Sequence, residues 1–256
     1  MKQVIYCGLF GNDEYVEMTK LFLNSIVKYG NINIDTTDIL IITTDSHKNK
    51  LYDFTNNLPI NILYYTQVDV DYFSRLTIFS YENVNNYDKL LYIDLDCYVI
   101  NHVQPIFDRI IENKLYTNKH DGYIDDCEDG YMWGLELFRR HNLDAKVPVF
   151  SSCLMGFNNC AEIKNLFSQI FDHVNADKAS NTFLDIHTKD QPYIVFNTHK
   201  NKLAECDSIS EFMVDKHYVN ENSKFIIDHL SGNTGDSKPK IYNMRFLENV
   251  MNNLKK

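Results

Sequence analysis

Short apolar runs alternate with segments of helical periodicity in the first 100 residues. The runs predict buried strands, because a strand that is covered on both faces needs no polar positions. The predicted strands are 4–10, 38–44, 60–65 and 89–93. The predicted helices are one that begins at Asn12 or Asp13 and ends at Gly30, one over 47–56 and one over 72–83. This alternation predicts an α/β fold, with a mostly parallel central sheet flanked by helices.

The second half of the chain has a less regular pattern. It contains an acidic loop at 121–130, an apolar run at 150–157, a helical pattern at 163–174, a strand at 225–227 that leads into Asp228 and His229, and a closing helix at 246–256. Neither half contains a repeat or a linker, so we expect a single domain over 1–256.

Composition and charge narrow the class of partners. The net charge of −10 argues against nucleic acid and against a polybasic membrane anchor. The six cysteines lack CxxC spacing, which argues against a zinc ribbon. The sequence shows no long apolar segment and no signal peptide, so we expect no membrane span and a cytoplasmic location.

Two aspartates, Asp94 and Asp96, directly follow the predicted strand at 89–93. Parallel sheets bind ligands at the carboxyl ends of their strands. Carboxylates two positions apart at a bend can reach one divalent ion, and Mg²⁺ and Mn²⁺ share such ligands with substrate phosphates. The pattern predicts a site for a metal and a phosphate, with a pair of solvated loop aspartates as the alternative.

Five parts of the chain resemble, in order, the motifs of glycosyltransferase family eight, which includes glycogenin and bacterial lipopolysaccharide galactosyl- and glucosyltransferases. They are 12–15, 72–76 with 87–96, 151–158, 190–191, and 229–232 with 238–239. The resemblance implies a GT-A-like nucleotide-sugar-binding fold, with a nucleotide-binding half at 1–100 and an acceptor and sugar half at 101–256. It also implies a retaining hexosyltransferase that uses a UDP-sugar, UDP-glucose or UDP-galactose, and Mn²⁺, with Mg²⁺ as the alternative ion.

The resemblance also implies roles for single residues. Asp96 is the main metal carboxylate, Asp94 contacts metal and ribose, and His229 is the third metal ligand. The implied contacts to the donor nucleotide are Leu9, Phe10, Asn12, Tyr15, Arg75, Asp94 and Lys238. Asp190 positions the sugar, and Gln191 stabilises the oxocarbenium-like transition state electrostatically. The residues alone, without the resemblance, favour an ordinary strand-end histidine for His229 and a solvated charge for Lys238.

Three features depart from the family pattern. Lys238 follows His229 by nine positions instead of six, Lys240 stands where the family has Trp, and the residues at 152–154 are Ser-Cys-Leu instead of Asn-Ser/Ala-Gly. A degenerate protein that binds a nucleotide-sugar or glycan without turnover therefore remains an alternative, as does a metal-dependent phosphatase with a DxD motif. The expected partners are a nucleotide-sugar donor and a glycan or protein acceptor, and a homodimer is left open.

Overall fold

The computed structural model of the chain describes residues 1–127, 129–186, 188–215, 224–230 and 237–254. Within them the strands are β1 (Gln3–Gly8), β2 (Thr37–Thr43), β3 (Ile62–Thr66), β4 (Lys89–Ile93), β5 (Cys97–Val99), β6 (Leu115–Tyr123), β7 (Pro148–Asn158), β8 (Ala204–Glu205), β9 (Met213–Asp215) and β10 (Ile227–His229). The helices are α1 (Asp13–Tyr29), α2 (Asp45–Thr55), α3 (Gln104–Arg109), α4 (Leu135–Arg140), α5 (Ala161–Ala179), α6 (Gln191–Lys200) and α7 (Ser237–Leu254).

The chain divides into two compact units. The first unit combines Met1–Arg109 with Glu211–Lys256, and the second is Ile110–Ser210. The chain thus leaves the first unit once and later returns to it. The expected single domain with a boundary near residue 100 between its halves stays a prediction.

The first unit is built on a parallel sheet with the strand order β3-β2-β1-β4. Every residue of β2 is buried, as are the first five residues of β1. Strands with both faces covered consist of continuous apolar runs, and this is the pattern that the sequence displays. The prediction of an α/β fold with a mostly parallel sheet is confirmed.

Helix α1 follows β1, and the two residues that predicted its ends from the sequence, Asn12 and Gly30, are its caps. The Asn12 side chain accepts a hydrogen bond from the backbone N–H of Glu14 at 3.0 Å, so Asn12 is the N-cap. Gly30 is the C-cap, and its N–H donates to the carbonyl of Ile26 at 2.9 Å. Phe22 and Ile26 lie on the buried face of the helix. Both predicted ends of this helix are confirmed.

The predicted α-helix over 72–83 is instead a 3-10 helix, Tyr72–Ser80, followed by a shorter one at Val84–Asn86. Asp71 caps the first of them by accepting a hydrogen bond from the N–H of Phe73 at 2.9 Å, while the Ser74 hydroxyl accepts one from the N–H of Asp71 at 2.9 Å. This local capping fixes the start of the segment. The tighter turn places Phe73 and Leu76 in the core.

A small second sheet in the first unit has the order β5-β10-β9, with β5 antiparallel to β10 and β10 parallel to β9. Asp228 and His229, which the sequence placed beyond a strand, belong to β10 itself. Helix α7 begins nine residues before the predicted start at 246, at Ser237. Pro239 lies in its first turn, where a proline costs no backbone hydrogen bond.

The second unit contains β6 paired antiparallel with β7 and parallel with β8, together with α4, α5 and α6. The apolar run at 150–157 lies in β7 and the helical pattern at 163–174 lies in α5. The beginning of the predicted acidic loop at 121–130 instead continues β6 as far as Tyr123. In the part of the chain that the structure describes, no helix is both long and apolar enough to cross a membrane.

Candidate functional site

The two aspartates of the motif lie on a tight turn between the two sheets of the first unit. Asp94 follows the last residue of β4, and its carbonyl accepts a hydrogen bond from the N–H of Cys97 at 3.1 Å. The chain then enters β5, where the N–H of Val99 donates to Ser25 Oγ of α1 at 3.0 Å. The turn therefore lies at the carboxyl end of a parallel strand, where such sheets bind ligands.

His229 reaches this turn through strand pairing. In the register of β5 with β10, His229 lies opposite Cys97. The next residue, Leu230, donates its backbone N–H to the carbonyl of Asp96 at 2.9 Å. As a result His229 Nε2 lies 3.7 Å from Asp96 Oδ1. The structure thus brings together two of the three predicted metal ligands, although they are far apart in sequence.

Lys240 occupies the other side of the Asp96 carboxylate. It extends from the first turn of α7, and its Nζ lies 2.6 Å from Asp96 Oδ2, with side-chain exposures of 15% and 14%. Burial opposes the charge on Asp96, but His229 and Lys240 outweigh it and lower the pKa of that carboxyl group. Burial likewise opposes the charge on Lys240, but the Asp96 carboxylate outweighs it and raises the pKa of the amine. The two side chains form a charged, largely buried ion pair.

Asp94 faces a different partner. Arg75 Nη2 lies 3.3 Å from Asp94 Oδ1, and the Tyr92 hydroxyl donates a hydrogen bond to the same oxygen. The guanidinium carbon of Arg75 lies 4.5 Å from the centre of the Tyr92 ring, and its Nε donates to the carbonyl of Tyr72 at 3.2 Å. Arg75 is 6% exposed, so these contacts hold a buried guanidinium next to the motif. The role of Asp94 as a metal ligand stays a prediction.

The residues around Asp96 fit a divalent ion. Among the described residues, Asp96, Cys97 and His229 form a group of three whose donor atoms all lie within 4.8 Å of one another. Asp96 Oδ1 is buried and accepts no hydrogen bond within the described part of the chain. Such ions lie about 2.1 Å from oxygen and nitrogen ligands, so two ligands stand roughly 3 to 4 Å apart. The 3.7 Å between Asp96 Oδ1 and His229 Nε2 falls in that range.

An aromatic cluster lies at the end of β1. The rings of Phe10 and Tyr15 are nearly parallel, with their centres 6.3 Å apart, and the Tyr72 ring meets Phe10 edge-on at 4.9 Å. Gly11 lies beneath Tyr15 with φ of +94°, and a Cβ at this position would lie 3.1 Å from the ring. The absence of a side chain at Gly11 therefore sets the position of the Tyr15 ring. Tyr72 remains 39% exposed, so the cluster presents aromatic surface to solvent.

The other residues implied as donor contacts have different surroundings. Leu9 is fully buried, its N–H donates to the carbonyl of Ile42 at 2.8 Å, and its carbonyl accepts from Thr43 Oγ1 at 3.0 Å. Asn12 is engaged as the cap of α1. Lys238 is exposed in the first turn of α7. Residues 231 and 232 of the resembling segment lie outside the described residues.

The residues implied for the sugar belong to the second unit. Gln191 is the first residue of α6 and is 8% exposed, and Asp190 precedes it at 2%. Gln191 Oε1 accepts hydrogen bonds from the backbone N–H of Ser152 at 3.3 Å and from Ser151 Oγ at 3.4 Å. Two of the segments that carry the family resemblance, 151–158 and 190–191, are therefore in direct contact within this unit.

Two residues next to these groups were not identified from the sequence. In the sequence, Lys240 is distinguished only as a departure from the family pattern, because it occupies the position of the missing Trp. Tyr72 was part of a resembling segment but was not given a role, and no periodicity distinguishes it from the chain's other tyrosines. In both cases the role depends on contacts with residues distant in the sequence, which a local pattern does not reveal.

No protein-family model matches the chain, and neither does any curated protein. Among solved structures, the chain is similar to the galactosyltransferase LgtC in complex with donor and acceptor sugar analogs. That match has a TM-score of 0.64 and 12% identity, and it covers 99% of this chain and 96% of that one.

A second similar structure is the bifunctional glycosyltransferase WbbM in its apo form, with a TM-score of 0.60 and 16% identity over 95% of this chain. The match covers 49% of WbbM, so this chain spans about half the length of that protein. At such identities the likeness concerns the fold alone. The chain has the GT-A-like α/β fold of these two structures.

Proposed function

We propose that this protein is a glycosyltransferase, a divergent member of family eight, which transfers a hexose from a UDP-sugar to a glycan or protein acceptor. The proposal includes a retaining reaction, UDP-glucose or UDP-galactose as donor, and Mn²⁺ as the ion, with Mg²⁺ as the alternative. The observation that carries it is the Asp94–Asp96 turn at the end of β4, where the Asp96 carboxylate lies beside His229.

The chemistry of this turn suits a nucleoside diphosphate. A divalent ion, when bound, supplies the positive charge that stabilises a leaving diphosphate. Asp96 and His229 would hold that ion, and a carboxylate with an imidazole suits Mn²⁺. Arg75, buried beside Asp94, can turn its planar guanidinium towards phosphate oxygens as a bidentate donor.

The aromatic cluster of Phe10, Tyr15 and Tyr72 supports a place for the base in the same unit. A pyrimidine ring stacks on an aromatic side chain without specific hydrogen bonds, and the partial exposure of Tyr72 leaves surface for it. In this proposal the cluster takes the uracil, and the Asp94–Asp96 turn takes the diphosphate.

Asp190 and Gln191, the residues that the resemblance implies for the sugar, lie within the second unit. Gln191 is fixed through its Oε1 by Ser151 and Ser152, which orients its side chain. A fixed dipole stabilises a developing charge without reorganising during the reaction. Gln191 would therefore support the oxocarbenium-like state electrostatically, with Asp190 positioning the sugar. The solved complex of LgtC with donor and acceptor sugar analogs is consistent with such a use of the fold.

Thermal unfolding with nucleotides and UDP-sugars, each with and without Mn²⁺, tests the proposal. A ligand at about a hundred times its dissociation constant stabilises the folded state by about 2.7 kcal/mol. We expect stabilisation by UDP and by one UDP-hexose, and we expect it to require the ion. A transfer assay with the stabilising UDP-hexose and radiolabelled sugar then detects transfer to water or to an added acceptor.

Two variants separate the proposed site from general effects of charge. Asp96→Asn is expected to abolish the ion-dependent stabilisation and the transfer. Asp35→Asn makes the same chemical change at an exposed position and should behave like the unmodified protein. Full transfer activity in folded Asp96→Asn would contradict the proposal. Binding without any turnover would favour the degenerate alternative, and phosphate release without sugar transfer would favour the phosphatase.

A further inference from the structure

The ammonium group of Lys240 lies against Asp96, the second aspartate of the Asp94–Asp96 turn. Lys240 Nζ lies 2.6 Å from Asp96 Oδ2, in a pair whose two side chains are about equally shielded from solvent, at 15% and 14% exposure. Ionic contacts on helices are usually exposed and weak. Here the helix instead directs a lysine onto Asp96, the carboxylate that the proposed function assigns to a metal. Lys240 therefore has to be part of any account of metal binding.

The position of Lys240 is fixed by the packing of α7 on α1. Lys28 of α1 pairs with Glu248 at 2.8 Å, Glu17 pairs with Arg245 at 2.9 Å, and the Tyr29 hydroxyl donates to Asn252 at 3.1 Å. These contacts lie along the body of α7 and leave its first turn to present Lys240. The ammonium group thus extends from a helix that packs on α1, while its flexible four-carbon stem allows it to change partners.

The charges around the turn balance without a metal. With the His229 imidazole neutral, as it must be in order to bind a metal, the described residues pair Asp94 with Arg75 and Asp96 with Lys240, so two negative and two positive groups face each other. A divalent ion added alone would leave two uncompensated positive charges in a poorly solvated place, which is unfavourable. The diphosphate of a nucleotide-sugar carries the two negative charges that restore the balance.

We propose that Lys240 is a resident cation that holds Asp96 until a donor diphosphate arrives, so that metal and diphosphate bind this protein as a coupled pair. Lys240 leaves Asp96 Oδ2 for the diphosphate oxygens, which removes its competing positive charge from the carboxylate whose Oδ1 would hold the ion. This inference rests on the proposed function and adds to it a cause for the coupling. It also explains how a lysine is accommodated at a position where the related family carries Trp.

The test measures metal binding without turnover. Free Mn²⁺ is followed by its electron paramagnetic resonance signal while it is titrated into the protein, with and without saturating UDP. The same titrations without protein give the Mn²⁺ that UDP itself binds, which is subtracted. UDP binding is measured by calorimetry with and without Mn²⁺. In the unmodified protein we expect Mn²⁺ alone to bind weakly and UDP to tighten it by at least about tenfold, which equals about 1.4 kcal/mol of coupling.

Lys240→Met removes the resident cation. We expect it to bind Mn²⁺ alone at least about tenfold more tightly than the unmodified protein, to bind UDP alone more weakly, and to lose most of the coupling. Lys240→Gln is a second neutral variant that can still hydrogen-bond to Asp96, in case the methionine variant does not fold. Lys28→Met is the matched control, since it removes the same charge and another ion pair of α7. It should titrate like the unmodified protein.

The outcomes separate the two proposals. If the neutral variants at Lys240 bind Mn²⁺ alone no more tightly than the unmodified protein, this inference is overturned and the proposed function is untouched. If no variant binds UDP, with or without Mn²⁺, the proposed function fails and the coupling fails with it. If Lys28→Met matches the Lys240 variants, the effect is one of general charge, which also overturns the inference.

Discussion

The substitution Gly11→Ala should weaken nucleotide binding through the position of one ring. Gly11 has φ of +94°, a conformation that costs a residue with a side chain about 1–2 kcal/mol. The added Cβ would also lie 3.1 Å from Tyr15 Cδ2 and 3.2 Å from Cε2, which is closer than side chains normally pack. Since Tyr15 is held from one side by Phe10, we expect its ring to tilt away from Gly11.

Gly122 provides a matched control for the backbone part of this effect. Its φ is +90°, but within the described residues no atom lies within 4 Å of a Cβ added there. Both alanine variants should therefore lose about 1–2 kcal/mol of unfolding free energy from the backbone alone. For a chain of this size that is a fall in Tm of about 2–8 °C. Only Gly11→Ala should also disturb an aromatic contact.

The difference between the two variants should appear in UDP affinity. Stacking of a base on an aromatic side chain contributes about 1–3 kcal/mol, so a displaced ring should raise the Kd about tenfold. Calorimetric titration of UDP in the presence of Mn²⁺ measures it, with Tyr15→Phe expected to retain affinity and Tyr15→Ala to lose it. Equal Kd values for Gly11→Ala, Gly122→Ala and the unmodified protein would refute the assignment of the cluster to the base.

Three further predictions concern stability. Gly134→Ala should cost about 3 kcal/mol, because its φ is +93° and the Cβ would lie 2.7 Å from the Pro192 carbonyl oxygen, and a denaturant titration that shows no loss would contradict this. Burial of His199 lowers its pKa to about 4, so the free energy of unfolding should fall by up to about 3 kcal/mol as pH drops from about 6.5 to 4. In the His199→Gln variant, unfolding measured over the same pH range should lack this fall. Burial opposes the charge on Asp38, but hydrogen bonds to the carboxylate, above all the one from the Tyr87 hydroxyl, outweigh burial and lower the pKa. Asp38→Asn should therefore cost about 2 kcal/mol of unfolding free energy at neutral pH. That difference should vanish as pH falls below about 4; a difference that persists in acid would contradict it.

Local sequence signals were sufficient for the first unit's parallel sheet. The strands are continuous apolar runs because both faces are covered, and Asn12 and Gly30 mark the ends of α1 through the chemistry of capping. The placement of Asp94 and Asp96 at the end of β4 follows from the same patterns. These features depend on neighbours in the sequence, which a single chain displays directly.

Features that depend on distant contacts could not be predicted in this way. His229 lies beside Asp96 because β10 pairs with β5, and Lys240 reaches the same carboxylate because α7 packs on α1. The 3-10 helix Tyr72–Ser80 has the apolar spacing of an α-helix, and only its cap at Asp71 and its packing decide the tighter turn. The family resemblance identified His229 as a candidate metal ligand. Lys240 departs from the family pattern, so its contact with Asp96 is revealed only by the structure.

The division of the chain also sets the order in which the site can form during synthesis. Asp96 leaves the ribosome before the whole second unit, whereas His229 and Lys240 follow only after that unit has been made. Until then β5 lacks β10 as its partner, and Asp96 lacks the two groups that offset its burial. The nascent chain can complete the parallel sheet of β1 to β4 early, but the contacts of Asp96 with His229 and Lys240 must wait for the segments that carry β10 and α7. Translation thereby delays the assembly of this group of side chains until the second unit has been synthesised.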